Sequence, residues 1–240
     1  TLGMGAVATM AINPWLYSNM PFDPSKDFAP VILLSNVPNV LILNKDFATS
    51  NNITDVASLV AYLEKHGADI NYASGGNGSA GHLAGELFKI RSNIDMLHIP
   101  YQGASPAKLA LLANQTQLMF DNLASALPLI NDNEVVALAV TTKERSSFLT
   151  DLPTMEESGV EAFDISTWFG VVSPAGTPEG IVNKLNKAYA EGMKDERVQT
   201  QMKNMGSDLE PGTAQEFADY AAAELVKYKD IVESSGIKLN

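Results

Sequence analysis

The sequence predicts an α/β fold, and three observations carry that prediction. Short apolar runs of strand length alternate with stretches of helical spacing from Val31 to Val140. The junctions between them hold glycines and helix-capping residues. Hydrophobic residues make up 45% of the 240-residue chain and charged residues 18%, a balance that buries a core instead of leaving a disordered chain. The repeated β–loop–α order argues for a mostly parallel sheet.

Taken in order, Val31–Asn44 reads as a buried strand pair or one long crossing strand, broken at Pro38. Before it, Thr9–Pro14 reads as a turn, with Asn13 a turn residue ahead of Pro14. Thr54 or Asp55 opens a helix through Val56, Leu59, Val60 and Leu63, which Gly67 stops. Asp69–Ser74 is a short strand, Gly75–Gly81 a glycine loop and His82–Ile90 a helix. Asp95–Ile99 is the next strand, and Ser105 caps a helix with Pro106 at its first position. Gln117–Phe120 is a strand, Ser125–Ile130 a short helix and Val135–Val140 a strand. After Thr150 the chain becomes helix-rich. Ile165–Val172 is a strand, Thr177-Pro178-Glu179 opens a helix towards Met193, and Thr213–Glu216 is a capping box before a long helix ending near Ser234. No Gly/Ser linker separates the parts, so two domains here are joined by ordered crossing strands.

Composition excludes several functions. Sixteen Lys and Arg face 28 Asp and Glu, a formal charge of −12, and the basic residues form no cluster. Nucleic acid is therefore excluded as a main partner, and the same lack of basic clusters argues against anionic membrane surfaces. Cysteine is absent, which removes disulfides, thiol nucleophiles, zinc ribbons and iron–sulfur clusters. No apolar run reaches the roughly 18 residues of a membrane span, and the start lacks the basic segment of a signal peptide.

The strongest chemical signal is Asp69–Phe88, DINYASGGNGSAGHLAGELF. Gly76-x-Gly78-x-x-Gly81 has the dinucleotide-loop spacing between a strand and a helix. Such a turn points backbone N–H groups at an anion, and the helix start adds roughly half a positive charge. Ser74, Asn77 and Ser79 supply side-chain donors, so the loop holds a phosphate or a carboxylate, or is a tight turn without ligand. A dinucleotide site also wants an acid about 20 positions on. The next strand ends Leu97-His98-Ile99-Pro100-Tyr101 and offers none, which favours a small carboxylate.

Other candidates carry two readings each. His66, His82 and His98 show no metal spacing, so no metal site is expected. His82 either contacts a ligand or bonds the loop from the helix start; His66 is a solvated residue of a last helical turn, His98 a core or rim residue. Ser79 lacks the first glycine of a nucleophile elbow, which argues against a serine hydrolase. Asp121, after Phe120 at a strand end, either orients a ligand amine or hydroxyl or caps the next helix. Trp168 and Phe169 line a cleft or belong to the core.

The runs NYASGGNGSAGHLAGELF, HIPYQGASPAKLALLANQTQLMFDN, LAVTTKERSSFLTDLPTMEESG and WFGVVSPAGTP, in register over essentially the whole chain, resemble the tripartite tricarboxylate transporter substrate-binding proteins, the Bug receptors. AINPWLYSNMPFDPSKDFAPV is similar to a stretch of that family's first lobe. The resemblance implies a two-lobe periplasmic binding-protein fold with crossing strands and a cleft between the lobes. It implies capture of a di- or tricarboxylate, an aromatic carboxylate or an amino acid, and its delivery to a membrane permease. No catalysis, cofactor or metal is implied. The loop matching Ser74, Gly75, Gly76, Asn77, Gly78 and Ser79 is implied to bind carboxylate through backbone and hydroxyl donors. Thr9, Asn13, Phe120, Asp121, Trp168 and Phe169 match segments near the cleft. Family members begin with a further strand, helix and strand of roughly 70 residues, which carries the first-lobe glycine loop. The first lobe is thus expected to be incomplete at its N-terminus.

The resulting expectation is a monomeric periplasmic receptor for a small organic acid, with lobe one at Thr1–Val37 and Phe163–Asn240 and lobe two at Pro38–Ala162. The alternatives are a nucleotide- or phosphate-binding enzyme using loop 74–81, or a non-binding interaction protein on the same fold.

Overall fold

The computed structural model describes residues 1–237; the last three residues of the expected first lobe, 238–240, lie outside them. In chain order the elements are β1 (Gly3–Ala6), a π-helical turn (Ala8–Ile12) running into α1 (Asn13–Leu16), β2 (Phe28–Asn44), α2 (Lys45–Ser50), α3 (Val56–His66), β3 (Asn71–Ser74), α4 (Ala80–Ser92), β4 (Leu97–Pro100), α5 (Ala104–Leu112), β5 (Leu118–Asn122), α6 (Leu123–Asn131), β6 (Val135–Val140), β7 (Ser166–Pro174), α7 (Glu179–Gly192), α8 (Glu196–Asn204), β8 (Asp208–Leu209) and α9 (Ala214–Ser235).

The chain divides into two compact units. One comprises Thr1–Val37 and Thr167–Asn240, the other Pro38–Ser166. Strand β2 contributes to both as one unbroken strand of 17 residues, which corrects the expected break at Pro38. Proline lacks a ladder donor, so it is tolerated where pairing changes. Here β2 pairs with β8 at Ser35 and Asn36, and with β5 from Asn39 onward. Pro38 falls between the two ladders.

In the first unit β7 lies between β1 and β2, and β8 also pairs with β2. Val31, Ile32 and Val171 of the sheet pack with Val182 and Met193. The Thr9–Pro14 stretch is helical, which corrects the expected turn. Pro14 sits at the start of α1, where its missing N–H leaves no helical bond unmade. Met10, Ala11, Ile12 and Leu16 are buried on that segment. It packs on α9, and the Trp15 indole donates to the Leu225 carbonyl at 2.8 Å. A reciprocal capping box at Thr213 and Glu216 starts α9.

In the second unit the order is β6-β2-β5-β3-β4. Strands β3–β4 and β3–β5 run parallel, whereas β2 is antiparallel to both β5 and β6. β1–β7 and β2–β8 are antiparallel too, so the sheet is mixed and not mostly parallel. The parallel part is the portion that positions the candidate site. The Asp55 box opens α3, and Gly67 closes it.

Candidate functional site

Parallel strands β3 and β5 end at the same edge of the sheet, and a helix follows each of β3, β4 and β5. In open α/β sheets that edge is where ligands bind. The loop from Ser74 to Ser79 lies there.

Its shape is set by a closed set of bonds. Gly76 N–H donates to Ser74 Oγ at 3.1 Å, and Ser79 N–H to the Gly76 carbonyl at 3.2 Å. Gly78 lies at the left-handed φ of +76°, which a side chain resists. Its N–H donates to Nδ1 of His82 at 3.2 Å. Ser79 caps α4, its Oγ accepting from His82 N–H and its carbonyl from Leu83 N–H. The helix starts two residues earlier than its apolar spacing predicts, because Ser79 takes the cap. Gly81 permits the first turn of α4 to press on β5: a Cβ there would collide with the Phe120 carbonyl. Those bonds engage the amides of Gly76, Gly78, Ser79, His82 and Leu83. The amides of Asn77, Ala80 and Gly81 are outside that set, and Ala80 and Gly81 belong to the helix start, whose first N–H groups lack helical partners. With the Gly75 amide, also outside the set, they are the donors this loop can offer an anion.

Two imidazoles brace the loop. His82 and His98 stack with centroids 3.9 Å apart, and Tyr72 stacks on the other face of His98 at 4.8 Å. His98 Nε2 lies 2.7 Å from Ser74 Oγ, and the Tyr72 hydroxyl donates to Glu86 at 2.6 Å. Burial pushes His98 down to about 3, with the neighbouring His82 and the Lys89 charge adding to the shift. Burial also lowers His82, against the Glu86 carboxylate, which raises it. Both rings are neutral near pH 7, as Nδ1 of His82 must be to accept an N–H. His82 therefore holds the loop, the plainer of its two sequence readings. His98 was read only as core or rim. Its bond to Ser74 comes from the register Tyr72↔His98, which pairs β3 with β4 and is invisible to a one-dimensional reading.

A second helix start approaches the loop. Gly103 N–H donates to the Gly75 carbonyl, and a Cβ on Gly75 would lie 3.5 Å from the Ala104 nitrogen. Gly103, not the expected Ser105, is the N-cap of α5; Ser105 and Pro106 lie within the first turn.

Phe120 is buried, its ring between Phe88 and Phe163. Asp121 is not a helix cap: Asn122 takes that role, accepting from Ala124 N–H. Asp121 lies inside β5, 4% exposed. Burial raises its carboxyl, while the Ser125 hydroxyl, the Asn122 amide and the Lys108 charge pull it back.

In the first unit, Thr9 is exposed and its hydroxyl donates to the Ala6 carbonyl at 3.0 Å. Ala6, which accepts that bond, is the strand residue that pairs with Phe169. Phe169 is half-buried, and Asn13 opens α1. Trp168 faces the other way. It is wholly buried, edge-on to Phe217 and Tyr220, and its indole donates to the buried Glu224 at 2.9 Å. That is the core reading of Trp168, and it leaves no surface or donor for a ligand. Among the described residues no cluster of His, Asp and Glu is arranged to hold a metal ion.

Known proteins resemble this chain in sequence and fold. The R. palustris protein Rpa4515, solved with adipate, is 33% identical and superposes with a TM-score of 0.89 over 99% of this chain and 78% of that one. MatC (Rpa3494) from Rhodopseudomonas palustris, solved with malate, is 30% identical with a TM-score of 0.85, over 97% and 79% of the two chains. A UPF0065 protein of Agrobacterium vitis is 33% identical over 95% of this chain and 62% of its own length. BugT of Bordetella pertussis is 28% identical over 97% and 70%. The chain thus spans about two thirds of the length of these curated relatives. The model of the tripartite tricarboxylate transporter family receptor matches residues 1–237, and this chain belongs to that family.

Proposed function

We propose that the chain is the solute-binding part of a periplasmic receptor that captures a small organic carboxylate for a tripartite tricarboxylate-type transporter. The observation that carries this reading is the set of amides at Gly75, Asn77, Ala80 and Gly81, left over by the bonds that shape the loop at the edge of the parallel strands. They offer a carboxylate fixed N–H donors and a helix start without a counter-ion. Relatives that share the fold were solved with adipate and malate, which supports an aliphatic acid. The net charge of −12 does not oppose this, because fixed donors act at contact and surface charges are screened beyond about 8 Å.

In this reading Ser74–Ser79, His82, Phe120 and Asp121 are candidate ligand-binding residues of the second unit. Thr9, Asn13 and Phe169 are candidates from the first unit. The two units are the receptor's lobes, the protein acts as a monomer without turnover, and its partner is a membrane permease.

A thermal-shift panel of mono-, di- and tricarboxylates, amino acids, NAD and ATP tests the proposal. Ligand at 100 times its Kd stabilises the folded state by about 2.7 kcal/mol. A shift with carboxylates alone supports capture of an acid. A shift confined to NAD or ATP replaces the reading with a nucleotide-binding one, and no shift with any acid rejects it.

A further inference from the structure

Asp121 carries the buried carboxyl that the loop bonds do not explain. Its Oδ1 accepts the Asn122 N–H at 2.9 Å, while its Oδ2 is buried without a hydrogen bond. A buried acceptor without a donor costs free energy, and native structures rarely keep one without a reason. The nearby donors do not serve this oxygen: the Ser125 hydroxyl, close enough to pull the carboxyl down, makes no hydrogen bond to Oδ2, and Lys108 Nζ points its bond at the Ser125 carbonyl, 2.8 Å away.

The position of this oxygen is informative. Strands β3 and β5 pair as Tyr72↔Leu118 and Ala73↔Met119. Continued by two residues, that register sets Ser74 level with Phe120 and Gly75 level with Asp121. Asp121 thus falls level with the first glycine of the anion loop, on the strand whose Phe120 carbonyl a Cβ at Gly81 would meet.

We propose that the missing donor belongs to the ligand. Asp121 accepts a hydrogen bond from a hydroxyl or ammonium group on the captured acid, and so selects hydroxy- or amino-substituted carboxylates over unsubstituted ones. This rests on the carboxylate reading above and narrows its substrate class. The free amides take the ligand's carboxylate, and Asp121 takes its donor. An unsubstituted acid leaves Oδ2 unpaired and adds a negative charge beside it. A site built around a substrate OH or NH rejects the analogue that lacks it strongly.

Isothermal titration on matched acids tests the inference: succinate against malate and aspartate, and glutarate against 2-hydroxyglutarate and glutamate. In the wild-type protein the substituted members of at least one set bind about tenfold or more tighter than the plain acid. In Asp121→Asn, which places an –NH2 group where the acceptor stood, that preference disappears and affinity for the plain acid is retained or raised. Equal binding within both sets, or binding of the plain acids alone, overturns the inference and leaves the carboxylate reading standing. A preference that survives in Asp121→Asn also overturns it. Failure of every acid to bind overturns both. Should the variant not fold, the wild-type comparison decides by itself.

Discussion

The imidazole of His82 lies flat against that of His98, centroids 3.9 Å apart and planes 12° from parallel, and each ring holds one end of the glycine loop. A stacked pair of this kind tolerates protons poorly. Glu86, Lys89 and Tyr72 are the other titratable groups packed around it, with Asp95 reached through Lys89.

The fold therefore destabilises in mild acid. Both histidines have folded-state pKa values below the unfolded value of about 6.5, His98 near 3. Below pH 6.5 the unfolded chain takes up protons that the folded chain refuses, so stability falls as pH falls, by at most about 1.4 kcal/mol per unit for each ring. Above 6.5 the pair contributes no slope. Urea midpoints between pH 7.5 and 5 read this, and His98→Gln should flatten the curve. An equal slope in that variant assigns the effect elsewhere.

Gly78→Ala strains the loop at its left-handed residue, φ +76°. The cost is about 1–2 kcal/mol, together with loss of carboxylate affinity and near-native circular dichroism. Gly81→Ala acts differently, driving a Cβ into the Phe120 carbonyl and prising α4 from β5, at about 2 kcal/mol. Thermal melts and titration with the best-bound acid check both. Unchanged affinity in Gly78→Ala removes the loop from the site.

Trp168→Phe keeps most of the packing and deletes the N–H that serves Glu224 at 2.9 Å. Lys227 then remains as the partner of a buried carboxylate. The loss should be about 2–3 kcal/mol, seen as a lower urea midpoint at unchanged slope, with ligand affinity preserved. Loss of affinity at unchanged stability contradicts the core assignment.

Asp121→Asn should stabilise the unliganded protein at neutral pH. The folded-state pKa of Asp121 is raised, so the fold favours the protonated carboxyl. That contribution is present below the unfolded value of about 3.9 and lost as pH rises through the folded one. The variant does not lose it, so its advantage over wild type grows with pH and then levels. Melts at pH 4 and pH 7.5 measure the difference.

Capping chemistry made much of the fold legible. Asp55 and Thr213 are helix caps whose side chains announce them, and Val135–Val140 is a strand with the bounds its apolar run predicts. What escaped was decided by partners distant in sequence. The helical turn from Ala8 to Leu16 forms because α9, some 200 residues on, covers its apolar side. The antiparallel pairing of β2 has no local signal, and α8 buries no residue, so only its Asp195 cap marks it. In the site, glycine spacing marked the loop. It could not say which amides the loop uses for itself, since His82, Ser74 and His98 settle that through contacts. Asp121 was singled out by its place after a strand, but its unpaired oxygen exists only in three dimensions.

The two units differ in when they can be finished. Pro38–Ser166 is continuous, so all its strands are synthesised before any of α7, α8 or α9. The other unit must join Gly3 to Val172 and Trp15 to Leu225 across that whole segment. Its first 37 residues, with Val31 and Ile32 among them, wait for β7 and the C-terminal helices. Synthesis is slow compared with strand pairing, so the second unit matures first and Thr1–Val37 stays in need of cover until α9 has been made.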